Sequence, residues 1–258
     1  MLRVLSLGAG VQSTTLALLA AHGELPMPDC AIFADTQAEP AAVYEHLRWL
    51  MSPNVLPFPV HIISSGNLRQ HIVEAMAGRI RMDNRPPFFT ESGGPLNRQC
   101  TTKHKIKPIL AKTKELAGAD TVEQWLGIST DEASRMKPSR DKAIRNRWPL
   151  IEQNMSRYDC LGWLARHGYP RPPKSACTFC PYRNTEQWRV LKHNDPAGFA
   201  DAVMIDELIR PGLPQERMPA RLFVHHSRRP LADIDFSTAG DRGQPDLFGN
   251  ECEGLCGV

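Results

Sequence analysis

Short apolar runs alternate with amphipathic stretches through the first half of the chain. The apolar runs have the length of buried strands and lie at residues 4–7, 31–34, 60–63 and 122–128. The stretches with helical periodicity lie at residues 13–21, 40–51 and 68–77. Strands that alternate with helices predict an α/β fold built on a doubly wound, mostly parallel sheet.

Three segments that are rich in small and polar residues follow these predicted strands. They cover residues 6–13, 35–39 and 127–135. In sheets of this type ligands bind beyond the carboxyl ends of the strands. We therefore expect the three segments to converge on one crevice, although they are far apart in the sequence.

The remainder of the chain is less regular. Proline and glycine are frequent in residues 80–99, which predicts a long loop, and a second irregular stretch covers residues 170–181. We expect an α/β domain over residues 1–150, a cysteine-rich helical and loop region over 151–226 that packs on it, and a flexible tail over 227–258.

Composition and charge narrow the class of protein. The 258 residues are 41% apolar, which is enough for a real core. No apolar run approaches the ~20 residues that span a bilayer, and the first residues lack the pattern of a signal peptide, so we expect a cytoplasmic protein with no membrane partner. The net charge is only +3, but basic residues are dense between 98 and 147. Such a stretch holds phosphates or a nucleic-acid backbone, or forms a solvated surface.

The first of the three segments is a glycine loop between a strand and a helix, Gly8-Ala9-Gly10-Val11-Gln12-Ser13. Such a loop presents backbone N–H groups to an anion, and the helix dipole adds to the attraction. It lacks the third glycine of the dinucleotide fingerprint and the Gly-Lys-Ser/Thr of a Walker loop. From the residues alone, an anion-binding loop and a tight turn both remain open.

The loop resembles the pyrophosphate-binding loop of the adenine nucleotide alpha-hydrolase (PP-loop ATP pyrophosphatase) superfamily, which reads roughly Ser-Gly-Gly-x-Asp-Ser. Ala9 departs from a glycine position or its neighbour, and Gln12 replaces the aspartate. The resemblance implies ATP as ligand, with Mg²⁺ as a candidate companion ion. The nucleotide-binding residues that it implies are Ser6, Gly8, Ala9, Gly10, Gln12, Ser13 and Thr14.

The other two segments resemble motifs of the same superfamily. Residues 33–39 are similar to the second-strand motif of phosphoadenosine-phosphosulfate reductases, which implies that Asp35 and Thr36 contact the nucleotide; an ordinary helix cap is the alternative for Asp35. Residues 125–135 resemble a Gly-Ile-Arg-x-x-Glu-Ser-x-x-Arg region. Gly127 and Ile128 would then lie against the nucleotide, and Arg135 would face an anionic group. Serine stands at 129 where the family has its first arginine.

The cysteines suggest a metal site. Cys177 and Cys180 form a Cys-x-x-Cys pair in a proline-rich loop, and two thiolates at this spacing can hold one metal or cluster. The spacing of the cysteines alone is equally compatible with zinc and with a [4Fe–4S] cluster. The segment around Cys100 resembles that of iron–sulfur phosphosulfate reductases, which favours the cluster and places Lys103 beside a substrate anion. Cys160 is the fourth candidate ligand, with burial as a small apolar residue as its alternative.

Two further cysteines lie near the end of the sequence. Glu251-Cys252 and Cys256-Gly257 each match half of the mobile Glu-Cys-Gly motif of phosphosulfate reductases, in which the cysteine attacks sulfur. The resemblance implies that Cys252 or Cys256 is a nucleophile. An inert tail and a second metal pair remain the alternatives.

Three functions compete on this evidence. The first is ATP-dependent sulfur transfer to a nucleic-acid or nucleotide acceptor, with tRNA or DNA as candidate acceptors, a sulfur donor as partner and a [4Fe–4S] cluster as cofactor. The second is phosphoadenylyl or adenylyl sulfate reduction, with a thioredoxin-like reductant as partner. The third is a nucleic-acid-binding protein with structural zinc and an inactive nucleotide fold.

Overall fold

The structure is a computed structural model, and it describes residues 1–214, 220–238 and 241. The chain forms two compact units. The first unit consists of Met1–Asn67 and Thr101–Ser175, and the second consists of Leu68–Cys100 and the described residues from Ala176 onward. The predicted division at residue 150 does not coincide with these boundaries, because the chain leaves the first unit after Asn67 and returns to it at Thr101.

The first unit contains a five-stranded parallel sheet with the order β3-β2-β1-β5-β6. Its strands are β1 (Leu2–Ser6), β2 (Cys30–Asp35), β3 (Val60–Ser64), β5 (Val122–Leu126) and β6 (Ile144–Arg147). Its helices are α1 (Val11–Ala21), α2 (Ala41–Leu50), α4 (Lys107–Ala117), α5 (Pro149–Glu152) and α6 (Arg157–Arg166). The predicted α/β fold with a mostly parallel sheet is confirmed, as are the four strands and the first two helices that periodicity indicated in this unit.

Apolar cores cover both faces of this sheet. One face packs against α1, α2 and α6 through a large cluster that includes Leu5, Leu16 and Trp163. The other face packs against α4 through a smaller cluster that includes Val4 and Ile32. Helix α1 is apolar around most of its circumference and is accordingly buried on almost every side. Packing against the sheet therefore fixes the position of α1.

The sequence analysis missed α4 and β6. A six-residue π-helical turn, Thr101–Ile106, precedes α4. Its lysines make the helical periodicity of the apolar positions in α4 difficult to detect in the sequence. Strand β6 has a single fully buried position, Ile144, because it forms an edge of the sheet. Its arginines Arg145 and Arg147 instead form ion pairs with the buried Glu123 of β5, a charged edge that discourages pairing with another strand.

The second unit is mainly helical. It contains α3 (Leu68–Met76), α7 (Thr185–Asn194) and α8 (Pro196–Ile209), together with a short antiparallel pair of β4 (Phe89–Thr90) and β7 (Leu222–Phe223). Residues 170–181 form neither helix nor strand, as predicted, and a 3₁₀ turn covers Leu231–Asp233. Within the part of the chain that the structure describes, no helix has the length and apolar character to cross a membrane.

Candidate functional site

The glycine loop connects the end of β1 to the start of α1 in the first unit. The hydroxyl oxygen of Ser13 accepts hydrogen bonds from the backbone N–H of Gly8 at 3.1 Å and of Gly10 at 3.3 Å. Ala9 between them has φ of 55°, in the left-handed region that favours glycine. Two backbone donors thus converge on one oxygen at the start of a helix, the arrangement that binds anions in many proteins.

The glycines of the site serve different purposes. A Cβ at Gly8 would lie 3.6 Å from the Ser13 hydroxyl oxygen, and one at Gly10 would lie 3.5 Å from Cβ of Ser175, both ordinary contacts. Neither residue has a positive φ, so the protein alone does not require glycine at either position. A Cβ at Gly127 would lie only 2.9 Å from the backbone nitrogen of Ser13. Gly127 therefore packs against the start of α1. Its contact with a nucleotide stays a prediction.

Gln12 and Ser129, two of the three positions that depart from the superfamily motifs, contact each other. The amide nitrogen of Gln12 lies 3.4 Å from the Ser129 hydroxyl oxygen and 3.4 Å from a carboxylate oxygen of Glu132. Its amide oxygen accepts from the Arg157 guanidinium at 3.0 Å. Since Ser129 is fully buried, this contact joins the start of α1 to the segment after β5 through uncharged groups. Each substitution is thus compatible with the other.

Arg135 and Thr14 have protein partners in the first unit. Arg135 forms an ion pair with Glu132 at 2.5 Å, and more than half of its side chain (57%) is exposed, so an anion would have to compete with that carboxylate. The Thr14 hydroxyl is buried 2.9 Å from His46 Nε2. Burial lowers the pKa of His46 to about 4, which leaves the ring neutral at pH 7. Thr14 therefore faces the core, while Arg135 lies at the surface.

Asp35 caps the turn that follows β2. One of its carboxylate oxygens accepts from the backbone N–H of Gln37 at 2.7 Å and from the Tyr44 hydroxyl at 2.8 Å. Burial and the bond to Asp35 raise the pKa of the Tyr44 phenol well above its usual range, so the phenol keeps its proton and acts as donor. Helix α2 has Pro40 at its N-cap and no side-chain hydrogen bond there, so Asp35 is not a helix cap, and its contact with a nucleotide stays a prediction.

A buried ion pair lies behind Asp35. The carboxylate of Glu39 is completely buried, and it contacts Lys105 Nζ at 2.9 Å and the Thr36 hydroxyl at 3.4 Å. Its other oxygen is buried without a hydrogen-bond partner among the described residues. Lys105 is carried by the π-helical turn before α4, an irregularity that often accompanies functional positions. The pair holds the lysine at the carboxyl edge of the sheet.

A cleft of about 120 Å³ opens at the carboxyl ends of β1 and β2. Its lining residues are Ser6, Leu7, Gly8, Phe33, Ala34, Lys105 and Ile109. The Ser6 hydroxyl oxygen accepts from the side-chain amide of Gln124 at 2.7 Å, so the Ser6 proton is available to another acceptor. The cleft therefore brings together the glycine loop, the end of β2 and a lysine. Ile128 is buried just beyond β5.

The predicted metal ligands divide between the two units. Cys160 is fully buried in the core between α1 and α6, and burial raises the pKa of its thiol to about 12. A metal binds the thiolate, which this environment disfavours. Cys100, Cys177 and Cys180 are half-buried residues of the second unit. Within the described ranges, no three Cys, His, Asp or Glu residues come close enough together to hold a metal ion.

The three cysteines of the second unit lie on ordered backbone. The Cys180 N–H donates to the Cys177 carbonyl at 3.0 Å, which closes the turn of the Cys-x-x-Cys pair. The Cys100 N–H donates to the Arg85 carbonyl at 3.2 Å. Arg98, two residues before Cys100, lies over the ring of Tyr182, two residues after Cys180, with 5.4 Å from guanidinium to ring centre. This contact brings the Cys100 segment near the Cys-x-x-Cys turn.

Lys103 is half-buried on the π-helical turn of the first unit. Cys252 and Cys256 lie outside the described residues.

The sheet order and the helices on both faces define the first unit as a doubly wound α/β unit with a glycine loop at the end of its first strand. No family model matches the chain, and no curated protein matches it. Two solved structures that it resembles are phosphoadenylyl-sulfate (PAPS) reductase from Candida auris in its phosphate complex and the U34-tRNA thiolase NcsA from Methanococcus maripaludis with its [4Fe–4S] cluster.

The likeness to both structures is one of chain fold. The reductase is 14% identical, and the match covers 66% of this chain and 74% of the reductase with a TM-score of 0.42. The thiolase is 13% identical, and the match covers 90% of this chain and 82% of the thiolase with a TM-score of 0.43.

The close approach of Gly127 to the glycine loop leads to a first testable prediction. Gly127→Ala forces a methyl group against the first turn of α1, and we expect the free energy of unfolding to fall by about 1–3 kcal/mol, as overpacking does elsewhere. Gly93→Ala is the matched control, since nothing lies within 4 Å of a Cβ there. Denaturant unfolding followed by circular dichroism measures both. Equal stability of the two variants would contradict the close packing.

Proposed function

We propose that this chain is a PP-loop-type enzyme that binds an adenine nucleotide in its first unit and uses ATP to transfer sulfur to a nucleic-acid acceptor, with tRNA and DNA as the candidates. The observation that carries the proposal is the loop geometry. Two backbone donors converge at the start of α1, and the fold does not require glycine at position 8 or at position 10. Glycines that the fold does not require indicate a stretch of backbone that a ligand approaches closely.

The residues around the loop divide the ligand into parts. The Gly8 and Gly10 N–H groups donate to the Ser13 hydroxyl oxygen in the structure, and they would donate to a phosphate oxygen that takes the place of this hydroxyl. The cleft next to them, with Phe33 and Ile109 in its lining, suits an apolar ring such as adenine. Lys105 in the same lining supplies a positive charge, and its partner Glu39 keeps it at the cleft. Phosphates and base would thus bind on adjacent parts of one edge.

The first test separates ligand approach from folding. Gly8→Ala adds a methyl group that the protein tolerates, so the free energy of unfolding should stay the same or rise by up to about 1 kcal/mol. The same methyl group would occupy the path of the phosphate, so we expect the ATP dissociation constant to rise at least about tenfold, the loss of one charge-assisted hydrogen bond. Calorimetric titration measures the affinity, with Gly93→Ala as control. Unchanged affinity in a folded Gly8→Ala would argue against binding at this loop.

The proposed metal site has three cysteine ligands, one fewer than the sequence suggested. We propose Cys100, Cys177 and Cys180 as ligands of a [4Fe–4S] cluster, with zinc as the alternative, and assign Cys160 to packing. A bound cluster would hold or relay sulfur. In the structure the described side chains do not gather into a metal-holding group.

Metal content tests this assignment. After anaerobic purification we expect iron and sulfide, with visible absorption that Cys177→Ser removes and Cys160→Ala retains. Cys160→Ala should instead lower thermal stability, because it leaves a small cavity in the core. Iron determination and absorption spectra give the readout. A colourless protein that contains zinc would contradict the cluster, and loss of iron in Cys160→Ala would return that cysteine to the ligand set.

Phosphosulfate reduction is the second candidate. It needs Cys252 or Cys256 as nucleophile, and it uses the adenylyl sulfate itself as substrate. Release of AMP and pyrophosphate from ATP in the presence of tRNA or DNA supports sulfur transfer, whereas sulfite release from an adenylyl sulfate supports the reductase. Activity in neither assay, together with zinc, would favour the nucleic-acid-binding alternative.

A further inference from the structure

Helices α1 and α6 lie side by side and run in the same direction. At one end, Gln12 in the first turn of α1 contacts Arg157, the first residue of α6. At the other end, His22 and His167, which follow the last residues of the two helices, have ring centres 5.1 Å apart. Both helix N-termini therefore lie at the glycine loop, where their dipoles favour negative charge.

The backbone amides at the start of α6 are already bonded within the protein. The Arg157 N–H donates to a carboxylate oxygen of Asp131 at 2.7 Å, and the Asp159 N–H donates to the Ser156 hydroxyl at 3.2 Å. Asp159 in turn accepts from the Ser156 N–H at 2.9 Å. Asp131 and Asp159 thus face the helix backbone, and the group that α6 presents toward the loop is the guanidinium of Arg157.

The charge of Arg157 is not cancelled by its neighbour in α1. Its guanidinium donates to the Gln12 amide oxygen at 3.0 Å, and it forms no ion pair within 4.0 Å among the described residues. The nearby Glu132 carboxylate pairs with Arg135 instead. An aspartate at position 12, as the PP-loop pattern has it, would place a carboxylate beside Arg157. Because the side chain at position 12 is a neutral amide, it does not offset the positive charge of the guanidinium.

The same substitution removes the donor that a metal ion would use. Mg²⁺ prefers carboxylate and water oxygens, whereas the loop offers backbone N–H groups, hydroxyls, an amide and a guanidinium. The only carboxylate that contacts Gln12 within the described residues is that of Glu132, and one of its oxygens lies beside the Gln12 amide while the other pairs with Arg135. With one carboxylate, already engaged by an amide and an arginine, the donor set suits a phosphate directly and does not fit Mg²⁺.

From these contacts we infer that Arg157 is an anion-binding residue of the nucleotide site and that phosphate binding at this loop does not depend on a divalent metal ion. The inference rests on the proposed nucleotide binding. A guanidinium supplies two parallel donors to a phosphate, and its anchoring by Gln12 and by α6 holds it at the loop before the ligand arrives. Arg157 takes over the charge compensation that a metal ion would otherwise provide.

Titration with ATP, in buffer that contains either EDTA or Mg²⁺, tests the inference. For the unmodified protein we expect dissociation constants that agree within about twofold in the two buffers, and for Arg157→Gln an increase of at least about tenfold in both. Arg166→Gln is the matched control, because it removes the same charge from the exposed far end of the same helix. Arg157→Lys, which keeps the charge but not the fork, should give an intermediate affinity.

A further variant tests the role of position 12. Gln12→Glu places a carboxylate next to Arg157, so we expect weaker ATP binding in EDTA and partial recovery in Mg²⁺. Equal affinity of folded Arg157→Gln and Arg166→Gln would overturn the inference, as would a tenfold loss of affinity of the unmodified protein in EDTA. The proposed nucleotide binding would survive either result. Only the absence of ATP binding by the unmodified protein in both buffers would overturn the two together.

Discussion

The close approach of Gly127 to the first turn of α1 is the contact on which the candidate site depends. A Cβ atom at position 127, directly after β5, would lie 2.9 Å from the Ser13 nitrogen, so only glycine permits this approach. That approach brings Ser129 within reach of Gln12, and it sets the start of α1 where the Gly8 and Gly10 donors converge. Backbone packing thus holds the segment after β1 against the segment after β5, although the two are distant in the sequence.

The electrostatics of this edge differ from those of a metal-dependent phosphate site. Position 12 is an amide, position 129 a hydroxyl, and the charged groups beside them are Arg157 and the Glu132–Arg135 pair. On the other side of the loop, Lys105 is held by a buried carboxylate. Positive charge therefore flanks the loop from two different elements, and both cations are anchored before a ligand binds, which reduces the entropy cost of binding.

The expectation that the segments after the strands meet at one edge came from the general placement of ligands in parallel sheets. Periodicity and motif spacing predicted four of the five strands of the parallel sheet and the glycine loop, because these features are local in sequence. They missed β6, whose single buried residue leaves no pattern, and α4, whose lysines hide its apolar face. They also missed Arg157, which reaches the loop only through the packing of α6, and Gln124, which contacts Ser6 at the end of β1 from the neighbouring strand β5. Cys160 shows the reverse case: its position near other cysteines in the sequence suggested a ligand, while its side chain lies in the core of the first unit. Gln12 and Ser129, two unrelated departures in the sequence, become a single contact in the structure.

The central claim is that phosphate oxygens meet the backbone N–H groups of Gly8 and Gly10. The most direct measurement is an amide-detected NMR titration of the ¹⁵N-labelled, deuterated protein with ATP. We expect the Gly8 and Gly10 amide resonances to shift strongly and saturably, together with the side-chain resonance of Arg157. Saturable shifts confined to other parts of the chain, with these two glycine amides unchanged, would contradict the account.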